Sequence, residues 1–315
     1  MAPFSFAARL HLIFLLFLAS RCFSKSTERK MAADLSNKCV GFLGCGKISS
    51  AVCRGYAGAT NNQRPGRVLV SQRSADKSKA LKEEFPDLVA IPSSNEELVA
   101  QSDIIFVGLL PDTARQILPT LPFDESKLVI SMMAAVDLQE TLKLIKVPPN
   151  NLVRTVPLPS AANRSGPVLV HPPNPILESI LAIVSTPVVC TSESNMKPMI
   201  SLTGHISSFF ELMNTSQLFI EENGVEASTA RQFVTSFYSS LAQGAESSSE
   251  TLEAMSEEAA TPGGLNEQTW RQLKTTEHFA LHKQVGIGID CPVQDTNTFF
   301  RGFIRLIVLT YHRTN

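Results

Sequence analysis

From Cys39 to Cys190 the chain alternates two hydrophobic patterns: short runs of adjacent apolar residues, and longer stretches in which apolar residues return every third or fourth position. The runs predict strands at 39–43 (CVGFL), 68–71, 88–91, 104–107 (IIFV), 128–131 and 152–155, with 168–170 and 188–190 able to extend the same sheet. Adjacent rather than alternating apolar residues are what a strand covered on both faces requires. The second pattern fills the gaps with helices. Ile48, Ala51, Val52, Gly55 and Tyr56 share one helical face, Ser74 stands where it can cap a helix reaching Phe85, Ser94 with Glu97 spells a capping box, and Asp137 with Glu140 marks another helix start. Parallel strands need crossover helices, so this alternation predicts a doubly wound parallel α/β sheet.

After Lys197 no strand run survives, and 199–222, 227–243, 247–259 and 268–282 all read as helices. The expected organisation is therefore an α/β domain over 36–195 followed by an all-α domain over 196–284. Residues 285–315 have no assignable periodicity and are expected to form an unassigned tail. Before the first strand, Leu10–Ala19 (LHLIFLLFLA) is an apolar run shorter than the about 20 residues a bilayer span needs, so no stable membrane insertion is expected. Either residues 1–35 carry a removable targeting segment, or translation starts at Met31 and a cytoplasmic protein results; both readings leave them out of the fold.

Composition narrows the functional classes. Hydrophobic residues make up 43% of the 315 residues and charged residues 18%, which suits a globular chain rather than a disordered one. A net charge of −1 offers no general attraction to nucleic acid or anionic membranes. The six cysteines include no C-x-x-C pair and no histidine at zinc-ligand spacing, so they read as free thiols with no metal role. Cys45 stands apart because it lies within a glycine loop, where an exposed thiol would be open to oxidation.

That loop carries the first chemistry. In CVGFLGCGKIS, Gly44, Gly46 and Ser49 have G-x-G-x-x-small spacing between a predicted strand and a predicted helix. Gly44 permits the tight turn, Gly46 lets backbone approach a pyrophosphate, and Ser49 lets the helix pack closely on the strand; the phosphates then meet the positive end of the helix. A dinucleotide is the expected ligand, and the fold is then of the Rossmann type. At the end of the second strand the chain reads Ser71, Gln72, Arg73, Ser74, with no carboxylate to accept from a ribose 2′-hydroxyl. Arg73, helped by Ser71, Ser74 and Lys77, suits a 2′-phosphate, which favours NADP over NAD.

VGFLGCGKIS, SQRSADKSKAL, SMMAAVDLQETL, RTVPLPSAANRSG and ATPGGLNEQ, taken in order and spacing over residues 38–282, resemble the pyrroline-5-carboxylate reductase family. The resemblance implies an NADPH-dependent reductase converting a cyclic imine carboxylate, pyrroline-5-carboxylate, to proline, with an N-terminal Rossmann domain and a C-terminal helical domain that interlocks in a homodimer. It implies a cofactor set of Gly44, Cys45, Gly46, Lys47 and Ile48 in the loop and helix start, Ser71, Gln72, Arg73 and Ser74 at the 2′-phosphate turn, and Leu109 and Pro111 after the fourth strand. Thr261, Pro262, Gly263 and Gly264 match the family's substrate-binding Ser/Thr-Pro-Gly-Gly turn.

The departures fall on the substrate side. Leu110 replaces the lysine that usually precedes Pro111, Leu158 replaces the asparagine after Pro157, and Leu265 and Asn266 follow the Pro-Gly-Gly turn where the family has hydroxyl residues. The amides of Gly263 and Gly264 can form an anion-binding nest for a substrate carboxylate, with Thr261 adding a hydroxyl, and Thr261 and Asn266 are candidate catalytic residues. His205, the one histidine in a matched site segment, is a candidate donor to the imine nitrogen. Two other readings remain open at this point: a related imine or ketone reductase with a different substrate, and a dinucleotide-binding regulatory protein without a productive pocket.

Overall fold

The computed structural model describes residues 33–288, with side chains through Gln284. The expectations for the leader and for most of the tail therefore lie outside the described residues. The chain divides into two units, one ending at Glu193 and the other beginning at Ser194.

In the first unit the strands are β1 (Cys39–Leu43), β2 (Arg67–Val70), β3 (Val89–Ala90), β4 (Ile104–Val107), β5 (Leu128–Ser131), β6 (Leu152–Val156), β7 (Pro167–His171) and β8 (Thr186–Val189). They form one sheet ordered β3-β2-β1-β4-β5-β6-β7-β8. Strands β1 to β6 are parallel, as the alternation predicts. Strand β7 runs antiparallel to β6, so its connection through Pro159–Asn163 is a short return rather than a crossover helix.

Each central strand feeds two separate cores, which is why its residues are apolar without alternation. Val40 and Phe42 of β1 and Ile104 and Phe106 of β4 point into one. Leu43 of β1 and Ile105 and Val107 of β4 point into the other. Phe42 stacks on Phe106 at 4.9 Å, and Tyr56 tilts against the same ring. The hydroxyl of fully buried Tyr56 donates to the Ile180 carbonyl at 2.9 Å, and burial pushes its pKa above the usual phenol range.

The crossover helices are α1 (Lys47–Ala57), α2 (Ala75–Glu84), α3 (Asn95–Gln101), α4 (Pro111–Ile117), α5 (Leu138–Leu144) and α6 (Pro175–Leu181). The Ser94 hydroxyl accepts from Glu97 N–H at 3.2 Å and Asp137 from Glu140 N–H at 2.7 Å, as expected of caps. The returning half of the first box shifts by one residue, because the Glu97 carboxylate accepts from Ser93. Ser74 occupies the N-cap position of α2, but its hydroxyl makes no cap bond.

The second unit is helical: α7 (Glu193–Leu202, entered from the first unit), α8 (Ile206–Glu222), α9 (Ala227–Ser247), α10 (Leu252–Ala259), α11 (Leu265–Thr275) and α12 (His278–Gly288). Three sequence expectations change here. The segment read as one helix over 199–222 is two, joined by a 3₁₀ turn at Thr203–His205 that contains Gly204, and Thr203 returns its hydroxyl to the Ile200 carbonyl. The helix expected from Ser247 starts instead at Leu252 under a Thr251 cap, because Ser247 ends the preceding helix and the Ser248 hydroxyl takes the Glu250 N–H at 3.1 Å in a local turn. The segment 268–282 breaks at Glu277, whose φ of +55° ends α11 before α12 begins.

Candidate functional site

The sheet order reverses direction between β1 and β4, and the strands' carboxyl ends separate there into a crevice. A cleft of about 430 Å³ opens at that point, between the glycine loop, Arg73 and Ser74 after β2, Gly108 to Leu110 after β4, and Met132 to Ala134 after β5.

The two loop glycines answer to different constraints. Gly44 has φ +95°, and a Cβ there would stand 2.3 Å from the Gly108 carbonyl oxygen. A Cβ on Gly108 would in turn lie 2.6 Å from the Ser49 hydroxyl oxygen. These contacts press β1, β4 and the start of α1 together and are structural. Gly46 is different: its φ of −77° suits any residue, and a Cβ would meet nothing within 4 Å. The space that its missing side chain leaves is the cleft itself, so the fold does not require glycine there but close approach by a ligand would.

Gly46 is the N-cap of α1 and has no side chain to satisfy the first-turn N–H groups. The first turn contains no acidic residue and begins with Lys47. The helix therefore presents unspent donors and a positive dipole end to the cleft, the environment a pyrophosphate needs.

At the far edge, Arg73 donates from Nη1 to the Thr113 hydroxyl of α4 at 2.6 Å, which holds the guanidinium across the cleft mouth. Ser74 lines the same edge with a hydroxyl not spent on capping. Ser71 turns inward instead: it is buried, and its hydroxyl accepts from the Gly44 N–H at 2.9 Å. Gln72 donates to the Pro92 carbonyl at 2.6 Å and is not part of the cleft wall. Both shape the turn around the ligand space, and the wall is left to Arg73 and Ser74.

Cys45 lines the cleft but is 1% exposed, with Sγ 3.6 Å from the Ser50 hydroxyl. The expectation of an exposed, oxidisable thiol is corrected: the side chain tucks under the loop, leaving backbone to face the ligand. Burial also pushes the nearby Cys53 thiol up to about 12. Lys47, Ile48, Leu109 and the largely exposed Leu110 line the cleft, whereas Pro111, the first residue of α4, does not.

Gly108, Met132, Met133 and Ala134 also line the cleft and were not singled out from sequence. Their signal was positional, since each directly follows an apolar run whose carboxyl end faces the crevice. Behind them Arg154 of β6 is a charged residue in a buried strand. It donates to the Ala134 carbonyl at 2.5 Å and pairs with Glu193 at 3.0 Å, and Glu193 also accepts from the Leu138 N–H at 3.1 Å. This pair ties the cleft wall after β5 to the start of α5.

In the helical unit the Pro-Gly-Gly turn departs from expectation. Gly263, at φ +76°, donates its N–H to the Glu267 carboxylate at 2.7 Å, and the Gly264 N–H goes to the Thr261 carbonyl at 2.9 Å. Neither amide of the expected nest is free. The Gly263 N–H first, and then Arg271, hold the Glu267 carboxyl below the usual carboxylate range. Asn266 is also engaged, donating its side-chain amide to the Ala259 carbonyl at 3.1 Å. His205 closes the 3₁₀ turn, and its ring lies 4.0 Å from that of His282, whose pKa is lowered by burial and by the nearby His205 and His278.

Among the described residues no helix is long and apolar enough to cross a membrane, and no three His, Cys, Asp or Glu side chains converge as a metal site.

Residues 39–135 match the family described as NADP oxidoreductase, coenzyme F420-dependent. Among solved structures, the chain is similar to a 1-pyrroline-5-carboxylate reductase from Streptococcus pyogenes at 19% identity and a TM-score of 0.66, covering 80% of this chain and 96% of that one. A pyrroline-5-carboxylate reductase from Coxiella burnetii is similar at 19% identity and TM-score 0.65, over 80% and 95% of the two chains. The enzyme from Plasmodium falciparum, with NADP bound, gives 17% identity and TM-score 0.65 over the same shares. A comparison with curated protein sequences gives no match. The chain therefore has the fold of the pyrroline-5-carboxylate reductases, and the Rossmann expectation for its N-terminal unit holds.

Proposed function

We propose that the protein is an NADPH-dependent reductase of cyclic imines. The observation that carries this reading is the cleft at the β1/β4 crevice, where Gly46 leaves space that the fold does not need and α1 leaves amides that the chain does not use.

In this reading the α1 amides and Lys47 hold the pyrophosphate, while Arg73 and Ser74 take the 2′-phosphate and select NADPH over NADH. Gly44, Cys45 and Ile48 contribute backbone and shape, Ser71 and Gln72 set the turn, and Leu109 with Met132, Met133 and Ala134 gives the dry wall against which the reacting end lies. Bound NADPH supplies the hydride that turns C=N into an amine. The chain's contribution is orientation and exclusion of water, since a cyclic imine near neutral pH can arrive with its nitrogen already protonated. His205 packed on His282 is then not required as a proton donor, and His205→Ala should leave the pH profile of turnover unchanged.

Phe209, Phe210, Phe219, Phe233, Phe237 and Leu241 of α8 and α9 are exposed, and the rings of Phe209 and Phe237 both meet Tyr238. We assign that surface to a second copy of the chain, giving a homodimer. Light scattering tests it: a mass near twice 34.3 kDa is expected, and a monomer at micromolar concentration would contradict it.

The reductase reading itself is tested by following NADPH absorbance with a panel of cyclic imines, pyrroline-5-carboxylate among them. Oxidation that requires an imine supports it. Tight NADPH binding without turnover on any imine would leave the regulatory alternative.

A further inference from the structure

We infer that Thr113 is a positioning residue for cofactor choice, holding the Arg73 guanidinium ready for a 2′-phosphate without spending its charge. The inference rests on the NADPH reading above and adds a residue that no sequence motif suggests.

A freely swinging arginine selects a phosphate poorly, because binding must first freeze its long side chain. Arg73 is exposed and follows β2. Gln72 beside it pins the turn through the Pro92 carbonyl at 2.6 Å, but the Arg73 side chain is secured from another element. Thr113 of α4, 40 positions along the chain, accepts from Arg73 Nη1 at 2.6 Å. Thr113 is buried, and the adjoining Ala114 belongs to the core under the sheet. A buried β-branched side chain has few rotamers, so its hydroxyl is a fixed acceptor.

That bond uses one of the five N–H groups of the guanidinium. Among the described residues Arg73 has no other hydrogen-bond partner and no carboxylate within ion-pair distance. The Nε and Nη2 edge, the fork that meets two phosphate oxygens at once, is therefore left for a ligand in the cleft that Arg73 lines. The neutrality of the acceptor matters as much as its place. A carboxylate at position 113 would cancel the charge of Arg73 and repel a phosphate. The acid next to it in the chain, Asp112, is engaged by Arg115 at 3.2 Å, and Arg115 is tied to Glu140 at 2.7 Å. A cofactor with a plain 2′-hydroxyl gains little from a positioned cation, so the effect should be confined to the phosphorylated one.

The experiment measures dissociation constants of NADPH, NADH, 2′,5′-ADP and 5′-AMP, with thermal unfolding alongside. The proteins are wild type, Thr113→Val, Thr113→Ser, Arg73→Ala and the double variant Arg73→Ala with Thr113→Val. Val keeps the shape of Thr and removes the acceptor; Ser keeps the hydroxyl. Thr113→Val should weaken NADPH and 2′,5′-ADP by about 3-fold to 10-fold and leave NADH and 5′-AMP unchanged, with Thr113→Ser within about twofold of wild type. In the Arg73→Ala background Thr113→Val should have no further effect, since no guanidinium is left to position.

Equal losses on all four ligands overturn the inference, as does a Thr113→Val effect of the same size with and without Arg73. If wild type holds 2′,5′-ADP no tighter than 5′-AMP, the 2′-phosphate reading falls and the inference with it. If wild type prefers 2′,5′-ADP and Thr113→Val keeps that preference in full, the inference alone falls. Should Thr113→Val fail to fold, Thr113→Ala carries the same decision.

Discussion

Two of the glycine turns that lead into helices, those before α1 and α11, stand in opposite states. Before α1, Gly46 has no capping partner and the first turn contains no acid. Before α11, Gly264 is likewise an uncapped glycine N-cap, but the third helical residue is Glu267, and its carboxylate occupies the turn. The corresponding residue of α1 is Ser49, buried against Gly108 and too short to fold back over the loop. Glycine content therefore does not decide whether a helix start can hold an anion. The side chain one turn along decides whether the donors are still available.

The largest effect expected from breaking this contrast is Gly46→Asp. An aspartate at an N-cap with extended backbone and open space around Cβ should preserve stability or raise it by roughly a few tenths of a kcal/mol. It would also place on α1 the carboxylate that α11 already has, so NADPH affinity should fall by about 100-fold or more, read by fluorescence titration beside thermal unfolding. Gly44→Ala should do the reverse and act on the fold. Its φ of +95° and a 2.3 Å approach to the Gly108 carbonyl predict a loss of about 3 kcal/mol or more in chemical denaturation.

Next comes Arg73→Ala, which should weaken NADPH by about 10-fold to 100-fold and leave NADH unchanged. Equal losses for both cofactors would mean that Arg73 touches something other than the 2′-phosphate. The smallest effect is Tyr56→Phe, away from both turns. It removes the side-chain donor to the Ile180 carbonyl, which keeps the Ile183 N–H at 3.3 Å, and should cost about 1 kcal/mol with cofactor affinity intact.

The first unit was the more legible part of the sequence. Strands covered on both faces show as unbroken apolar runs, so β1, β4 and β5 fall where the pattern placed them. The glycine loop was legible for the same reason: it lies at a fixed place between a strand and a helix. The reversal of β7 was not legible, because an apolar run carries no direction and only the brevity of its connection sets it. The helical unit lost definition where side chains compete with backbone, at Thr203, in the serines before Thr251 and at Glu277.

At the sites, residue type was readable and side-chain direction was not. Cys45 and Ser71 both sit where a ligand-facing role is plausible in sequence, yet one tucks beneath the loop and the other braces Gly44. The Pro-Gly-Gly turn was visible as a candidate anion site, and Glu267 stands within the same ATPGGLNEQ segment, but that its carboxylate folds back onto the Gly263 N–H is a matter of side-chain direction. Arg154 and Glu193 lie 39 positions apart, and only the folded sheet brings them together.

The central claim is that the cleft after β1 is built for NADPH, and equilibrium titration of wild type and Gly46→Asp with NADPH and with NADH tests it most directly. The account predicts saturable NADPH binding at one site per chain, NADH weaker by about tenfold or more, and no saturation of Gly46→Asp. Equal binding of NADPH by both proteins, or NADH as tight as NADPH in wild type, would contradict it.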